Sequence, residues 1–178
     1  LALGLAGGPA LGAGQHPSVV TMRKVAKDML NAHRQGTIQA FRTAIQRHAD
    51  VTGIADYCLG QYRKKLPAGL KAQYYSGTVT FMSRYFSDQS RQYPIAKYEL
   101  GDATADDDKN VSIDSKVYLL SGQTYTVVWK LGWVKGGYKV TDVKVMGFSL
   151  VYLQRGLFTS FVSKRNGDVA QLVTALNR

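Results

Sequence analysis

The sequence predicts an α+β fold, because segments with helical and with strand periodicity are grouped along the chain. Apolar residues recur every three or four positions through the first half. From about residue 93 to residue 145 they alternate with polar residues, and short turns separate the runs. Helical periodicity returns after residue 149. Helices followed by an antiparallel meander and then by further helices are typical of an α+β domain.

The first half contains four predicted helices. The first is expected over residues 18–35, and Thr37 is placed to cap the second. A third, short helix is predicted over residues 50–59. A long fourth helix begins near Pro67, which suits a first helical turn, and runs to about residue 85 or beyond.

The strands of the second half are joined by short turns. An acidic stretch over residues 102–108 predicts an exposed turn, because it lacks the ligand spacing of a calcium loop. Ser121-Gly122-Gln123 predicts the next turn, and Gly136-Gly137 is a hairpin signal. The last strand then alternates strictly, with Tyr138, Val140, Asp142 and Lys144 on one face and Lys139, Thr141, Val143 and Val145 on the other.

A strand followed by a helix is predicted over residues 137–166. Ser149 stands before the helix as an N-cap, and Asn166-Gly167 supplies its stop. Asp168 caps a last helix with an apolar stripe. A sheet curled against several helices encloses volume, and composition alone favours a packed core over an open cavity there.

Composition predicts one domain and an anionic partner. The chain has 178 residues, 45% of them hydrophobic and 20% charged, which is a normal globular balance. It carries 23 Lys+Arg against 12 Asp+Glu, with the densest run at residues 63–65. A net charge of +11 suits nucleic acid, lipid headgroups or an acidic protein surface, and it also suits a plain solvated surface. Because the chain has no phosphate-binding loop and no RNA-binding aromatic motif, we expect no nucleic-acid partner.

The N-terminus predicts export. Residues 1–14 are apolar, rich in small residues and uncharged, as in the back half of a secretory signal peptide. A remnant without function is the alternative. We therefore expect a residual signal peptide over 1–14 and a single domain over 15–178.

Candidate catalytic residues are few. A single cysteine, Cys58, allows no intrachain disulfide and no cysteine-based metal site, and the three histidines have no metal-ligand spacing. Ser149 lies at a strand-to-helix turn, but Val151 replaces the second glycine of a nucleophile elbow. Asp142 is a carboxylate among apolar neighbours, and we expect an ion pair with Arg155 rather than general-base chemistry. No catalytic residue, metal or cofactor is predicted.

The chain resembles the MlaC family, also called the toluene-tolerance family, over about residues 17–176. The middle of three matching stretches is the most specific, because its strand, aspartate, turn and helix come in the same order. The stretches are Leu59-Gly60-Gln61-Tyr62 with the helix from Pro67, residues 137–143 with Gly147-Phe148-Ser149-Leu150, and residues 167–176.

The chain departs from the family pattern shortly after that turn. Where the family usually carries polar or aromatic residues ending in arginine, this chain has Leu153-Gln154-Arg155. Arg155 is therefore the only residue of this segment that matches the family pattern.

The resemblance implies an NTF2-like curved antiparallel sheet packed against several helices that enclose an apolar cavity. It implies a periplasmic phospholipid-binding shuttle without enzymatic activity, which holds the acyl tails in the cavity and makes transient contact with membranes. Its partners would be an inner-membrane Mla ABC transporter complex and an outer-membrane Mla lipoprotein–porin complex. Some relatives are linked to hopanoid-producing bacteria, so the identity of the lipid stays open.

Large apolar residues of the long helix, the strands and the following helix are the predicted lipid contacts. They are Val79, Met82, Phe86, Val127, Trp129, Val140, Val143, Val145, Phe148, Leu150, Leu157, Phe158 and Phe161. Two other hypotheses remain: an NTF2-like enzyme that uses Asp142 in the cavity, and an adaptor module whose core is filled and binds no ligand.

Overall fold

The computed structural model describes residues 16–178, and the predicted signal peptide at residues 1–14 lies outside the described residues. Two 3₁₀ turns, Gly60–Lys65 and Ala68–Leu70, link the third and fourth helices. The α-helices in this part of the chain are α1 (Pro17–Gln35), α2 (Ile38–His48), α3 (Val51–Leu59), α4 (Lys71–Gln92), α5 (Leu150–Ser163) and α6 (Val169–Leu176). The strands are β1 (Ile95–Ala105), β2 (Asn110–Leu119), β3 (Thr124–Val134), β4 (Gly137–Val145) and β5 (Phe148–Ser149).

The five strands form a curved antiparallel meander in the order β1-β2-β3-β4-β5. Each strand pairs with its neighbour in the chain. The predicted α+β fold, with an antiparallel sheet packed against helices around an apolar cavity, is confirmed.

Two hairpins depend on backbone conformations that need a positive φ. Lys135 and Gly136 have φ values of 49° and 83°, and Met146 and Gly147 have 49° and 84°. A two-residue turn of this kind matches the twist of the flanking strands. The first turn therefore lies one residue before the predicted Gly136-Gly137, because Gly137 already belongs to β4.

A bulge in β4 corrects the strict alternation predicted for that strand. Lys130 pairs with Asp142 and Leu131 pairs with Val140, so Thr141 is an extra residue. An extra residue reverses the alternation of side chains beyond it. Val140 and Val143 both pack on the α1 side of the sheet, although strict alternation would put them on opposite faces.

The predicted helix caps are present. Thr37 Oγ1 accepts a hydrogen bond from the Ala40 amide at 3.2 Å, and Ser149 Oγ accepts one from the Tyr152 amide at 3.0 Å. Asp168 caps α6 in the same way. The predicted start of the long helix at Pro67 is wrong by four residues, because residues 68–70 wind as a tighter 3₁₀ turn before α4 begins.

The apolar residues form two main cores. One joins α3, α4, α5 and α6 and includes Tyr74, Phe158 and Leu172. The other joins α1 to the sheet and includes Met22 and Ile113. Between residues 16 and 178, no helix combines the length and the apolar character that a membrane span requires.

Candidate functional site

Within residues 16–178, a cavity lies between the curved sheet and helices α1 and α4. Its volume is about 680 Å³, within the range of roughly 300–1,000 Å³ that is usual for small-molecule sites. The interior wall is formed mostly by aliphatic and aromatic side chains, among them Met29, Phe86, Val117, Val127, Trp129 and Val145. Within the described part of the chain, its lining contains no Asp, Glu, Lys or Arg.

A smaller cavity of about 220 Å³ lies beside it, between β4 and helices α2, α4 and α5. Its polar lining residues are His48, Asp142 and Gln154, together with Tyr85. The two cavities adjoin, because they share six wall residues: Met29, Tyr85, Phe86, Trp129, Val143 and Leu150.

Nine of the thirteen predicted contact residues line one cavity or both. They are Met82, Phe86, Val127, Trp129, Val140, Val143, Val145, Leu150 and Leu157. The bulge in β4 brings Val140 into this set together with Val143. Whether these nine side chains touch lipid stays a prediction.

The other four predicted residues lie away from both linings. Val79 is 2% exposed and packs in a small core with Phe41, and Phe158 is 2% exposed in the helical core. Phe161 packs on the same helical core, under the Arg165 guanidinium. Phe148 is 65% exposed in β5.

Helix geometry explains why neighbouring residues of α5 separate. Successive residues point about 100° apart around a helix, so one face can meet a core while the next meets a cavity. Leu150, Leu153 and Leu157 line the smaller cavity, whereas Phe158 and Val162 face α4 and α6. The spacing of three or four residues is visible in the sequence, but the cavity-lining residues and the core residues of α5 both have it.

Several lining residues were not predicted as contacts. Tyr85, Gln89 and Tyr93 line the larger cavity from α4 and its C-terminal end. Tyr125 does so from β3, opposite them. The spacing of four from Tyr85 to Gln89 to Tyr93 is visible in the sequence and could have identified this side of the cavity.

Polar groups deep in the larger cavity already have partners. Ser115 Oγ donates to the Val127 carbonyl at 2.8 Å and accepts from Trp129 Nε1 at 3.1 Å. His33 Nε2 accepts from the Ile95 amide at 2.9 Å. Burial lowers the pKa of His33, and the nearby Arg34 lowers it further, so the imidazole is neutral at pH 7.

Asp142 holds the turn between β4 and α5, which corrects the predicted ion pair. Its carboxylate accepts from the Val143 amide at 2.7 Å, the Val151 amide at 3.1 Å and Ser149 Oγ at 2.5 Å. Arg155 instead places its guanidinium over the Tyr57 ring at 4.6 Å. The Val151 amide lies in the first turn of α5 and has no acceptor within the helix, so the carboxylate is satisfied without a cation.

A second carboxylate connects α1 to α2. Asp28 Oδ2 lies 2.6 Å from His48 Nε2 and 3.0 Å from Arg47. The hydrogen bond with His48 is the largest cause that lowers the pKa of Asp28. His48 lines the smaller cavity, so this contact fixes one of its walls.

The basic run at residues 63–65 lies on the 3₁₀ turn after α3 and lines neither cavity. Arg63 pairs with Asp56 at 3.1 Å.

Cys58 is buried, as predicted, and burial raises the pKa of its thiol to about 11. From residue 16 onward, His, Cys, Asp and Glu side chains form no group of three or more that could hold a metal ion.

Fold and cavity together define an α+β protein in which a curved antiparallel sheet and helices surround an open apolar chamber. The family model described as "MlaC protein" matches residues 18–178. The chain belongs to the MlaC family.

A solved structure supports the fold. The chain is similar to a phospholipid-binding protein from Ralstonia solanacearum, whose structure is in complex with a phospholipid at 1.53 Å resolution. The TM-score is 0.72 and the sequence identity is 20%, over 89% of this chain and 93% of the other. No curated protein matches the sequence.

Proposed function

We propose that this protein binds a phospholipid and carries it through the periplasm between the outer and inner membranes. The observation that carries the proposal is the open cavity of about 680 Å³, whose interior is apolar and lacks charged lining residues in the part of the chain that is described. Membership of the MlaC family and the phospholipid complex of the solved relative support the choice of ligand.

The physical need for such a carrier follows from the hydrophobic effect. Each methylene group moved from an apolar environment into water costs about 0.8 kcal/mol. Two long acyl chains therefore cost on the order of 20 kcal/mol to expose, which makes unaided transfer across water very slow. A cavity that covers the tails lowers this barrier without any bond chemistry, so the proposal includes no enzymatic activity.

In this proposal the nine lining residues named above contact the acyl tails within an NTF2-like scaffold. The headgroup remains outside the cavity. Lipid is exchanged with an outer-membrane Mla lipoprotein–porin complex and with an inner-membrane Mla ABC transporter complex, through transient contact with each membrane. Residues 1–14 are the remainder of the export signal, and residues 15–178 are the single lipid-binding domain.

The open chamber favours this function over an adaptor whose core is filled. The enzyme hypothesis depended on Asp142, whose carboxylate accepts three hydrogen bonds that hold a turn. These hydrogen bonds give the carboxylate a structural role that accounts for its position without catalysis.

A transfer assay between two vesicle populations tests the proposal. Donor vesicles contain labelled phosphatidylcholine and acceptor vesicles do not. A porous membrane that passes the protein but retains vesicles separates the two populations. We expect transfer that increases in proportion to the protein concentration. Transfer no faster than without protein, together with purified protein that takes up no phospholipid, would contradict the proposal.

A further inference from the structure

The mouth of the larger cavity is polar but uncharged. Five of its lining residues are exposed to solvent and therefore mark the opening: Tyr85, Tyr93, Gln123, Thr124 and Met146. Tyr85 and Tyr93 are 41% and 48% exposed. Four of the five carry a neutral hydrogen-bonding group, while the wall further inside is apolar.

Two elements build this rim from opposite sides. Tyr85 and Gln89 are four residues apart in α4, so they share one face of the helix, and Tyr93 follows directly after its end. Gln123, Thr124 and Tyr125 follow the turn between β2 and β3. We call these six residues the polar rim.

The rim tyrosines have unused hydrogen-bonding capacity. Among the hydrogen bonds of the described residues, none involves the hydroxyl of Tyr85, Tyr93 or Tyr125, and the Tyr85 and Tyr93 side chains are exposed to solvent. By contrast, the hydroxyl of Tyr74 donates to the Ala55 carbonyl at 2.5 Å, and that of Tyr75 donates to Asp56 at 2.9 Å.

The hydroxyls of Tyr85 and Tyr125 are neutral hydrogen-bond donors. Burial raises the pKa of Tyr85, and the neighbouring Tyr93 adds to this effect. Burial likewise raises the pKa of Tyr125, with Tyr85 adding to it. Tyr85 and Tyr125 therefore keep their protons at physiological pH and can donate hydrogen bonds.

The chemistry of the rim matches the glycerol region of a phospholipid. Ester carbonyl and phosphate oxygens accept hydrogen bonds, and in a bound lipid they lie where the apolar tails meet water. Tyrosine hydroxyls and glutamine amides supply donors at that level, next to an apolar chamber. A lipid without such oxygens would make no hydrogen bonds with these donors.

We propose that the polar rim binds the ester or phosphate oxygens of the lipid through neutral donors, principally the hydroxyls of Tyr85 and Tyr125. This inference rests on the proposed function. The lipid is then recognised by its glycerol region rather than by the charge of its headgroup. The α5 side of the smaller cavity offers a contrast, because its exposed residues Leu153 and Leu157 supply no donor.

The test removes the hydroxyls and keeps the rings. Tyr85→Phe, Tyr125→Phe and the double variant are loaded from dioleoylphosphatidylcholine vesicles, and the dissociation constant of the lipid is measured. We expect binding to weaken roughly five-fold for each hydroxyl removed. Tyr152→Phe is the matched control, because Tyr152 is 66% exposed and lines neither cavity.

Two further lipids separate the possible acceptors. A dialkyl ether phosphatidylcholine keeps the phosphate and lacks ester carbonyls, whereas a diacylglycerol keeps the esters and lacks the phosphate. If the hydroxyls bind phosphate, the double variant weakens binding of the ether lipid only. If they bind esters, it weakens binding of the diacylglycerol only, and contact with both acceptors weakens both.

The outcomes distinguish this inference from the proposed function. Wild-type protein that takes up none of the lipids overturns both. If the wild-type protein loads normally and the variants bind each of the three lipids as tightly as the wild type does, the proposed role of the polar rim is wrong. The proposed function as a lipid carrier then still stands. Equal weakening by Tyr152→Phe also overturns the role of the polar rim, because the effect would then not belong to the rim. Denaturant midpoints equal to that of the wild type show that each variant is folded.

Discussion

Two apolar regions of this molecule are built from the same kinds of residue, yet one is packed and the other is open. In the helical core, α4, α5 and α6 close around Tyr74 and Phe158, which are 0% and 2% exposed. At the far end of the sheet, Val117, Val127 and Val145 face a chamber instead. The difference teaches that the partner element, rather than the residue type, decides whether an apolar face becomes core or binding wall.

The two regions meet at α5 and β4. Leu157 and Phe158 are adjacent in sequence, but the first is 60% exposed on the lining of the smaller cavity and the second is buried in the core. Helix α1 covers the end of the sheet near Val111 and Ile113 and leaves the other end free. Substitutions on the two sides of this boundary should therefore separate stability from lipid binding.

The largest effect is expected in the packed region. Phe158→Ala should lower the free energy of unfolding by about 3–5 kcal/mol, because it leaves a cavity among side chains that cannot collapse into it. Leu157→Ala is the matched neighbour and should change stability by about 0.5 kcal/mol or less. Urea denaturation measures both, and similar losses for the two would remove the distinction between core and cavity wall.

The next effect belongs to the open region. Val143→Arg puts a cation into the wall that both cavities share, and the nearby Asp142 carboxylate already accepts three hydrogen bonds in the turn before α5. We expect lipid retention to fall roughly 100-fold in a protein that still folds, because an unpaired charge beside acyl tails is strongly unfavourable. Retention is measured by equilibrium loading from vesicles.

Val128→Arg is the control for that experiment. Val128 lies on β3 next to Val127 and Trp129, and it lines neither cavity. Its retention should equal that of the wild type. An equal loss in both variants would mean that a new charge anywhere on the sheet disturbs binding.

Substitutions in the turn between β4 and α5, where the two regions meet, should have a smaller effect on stability. Ser149→Ala removes the hydroxyl that caps α5 and that also donates to Asp142, which should cost about 1 kcal/mol. Asp142→Ala leaves the amides of Val143 and Val151 without their acceptor, which should cost about 1–3 kcal/mol. Thermal and urea unfolding check both values, and an unchanged Asp142→Ala protein would contradict the structural role of this carboxylate.

The smallest effect is a pH dependence at the contact between α1 and α2. The pKa of Asp28 is lowered in the folded protein, so its pairing with His48 and Arg47 stabilises the fold above the ordinary aspartate pKa. That contribution is lost as the pH falls through the lower, folded pKa. Asp28→Asn should therefore lower the free energy of unfolding at pH 7 by less than about 1 kcal/mol, as measured by urea denaturation, and this difference should shrink as the pH falls below the ordinary aspartate pKa. An equal difference above and below that pKa would show that charge is not involved.

Local signals in the sequence predicted much of the fold. The caps at Thr37, Ser149 and Asp168 depend on side chains within three residues of the amides they bind, so they are visible without tertiary structure. Alternation predicted the strands, but the bulge at Thr141 depends on how β3 pairs, which no pattern within β4 reveals.

The site was less predictable for the same reason. Val143 and Phe158 are both large apolar residues with the expected periodicity, and only the presence of α6 beside one of them separates core from cavity wall. The ion pair of Asp142 with Arg155 was a reasonable expectation from charge. The nearer amides of Val143 and Val151 occupy the carboxylate instead, because the turn brings them within hydrogen-bond distance.

The measurement that tests the central claim most directly is the native mass of the purified protein, after removal of lipid and incubation with phosphatidylcholine vesicles. Our account predicts a mass increase equal to bound phospholipid for the wild type and for Val128→Arg, and its loss for Val143→Arg. A wild-type protein that stays at the mass of its chain alone, while it remains folded, would contradict the claim that the open apolar chamber is a lipid site.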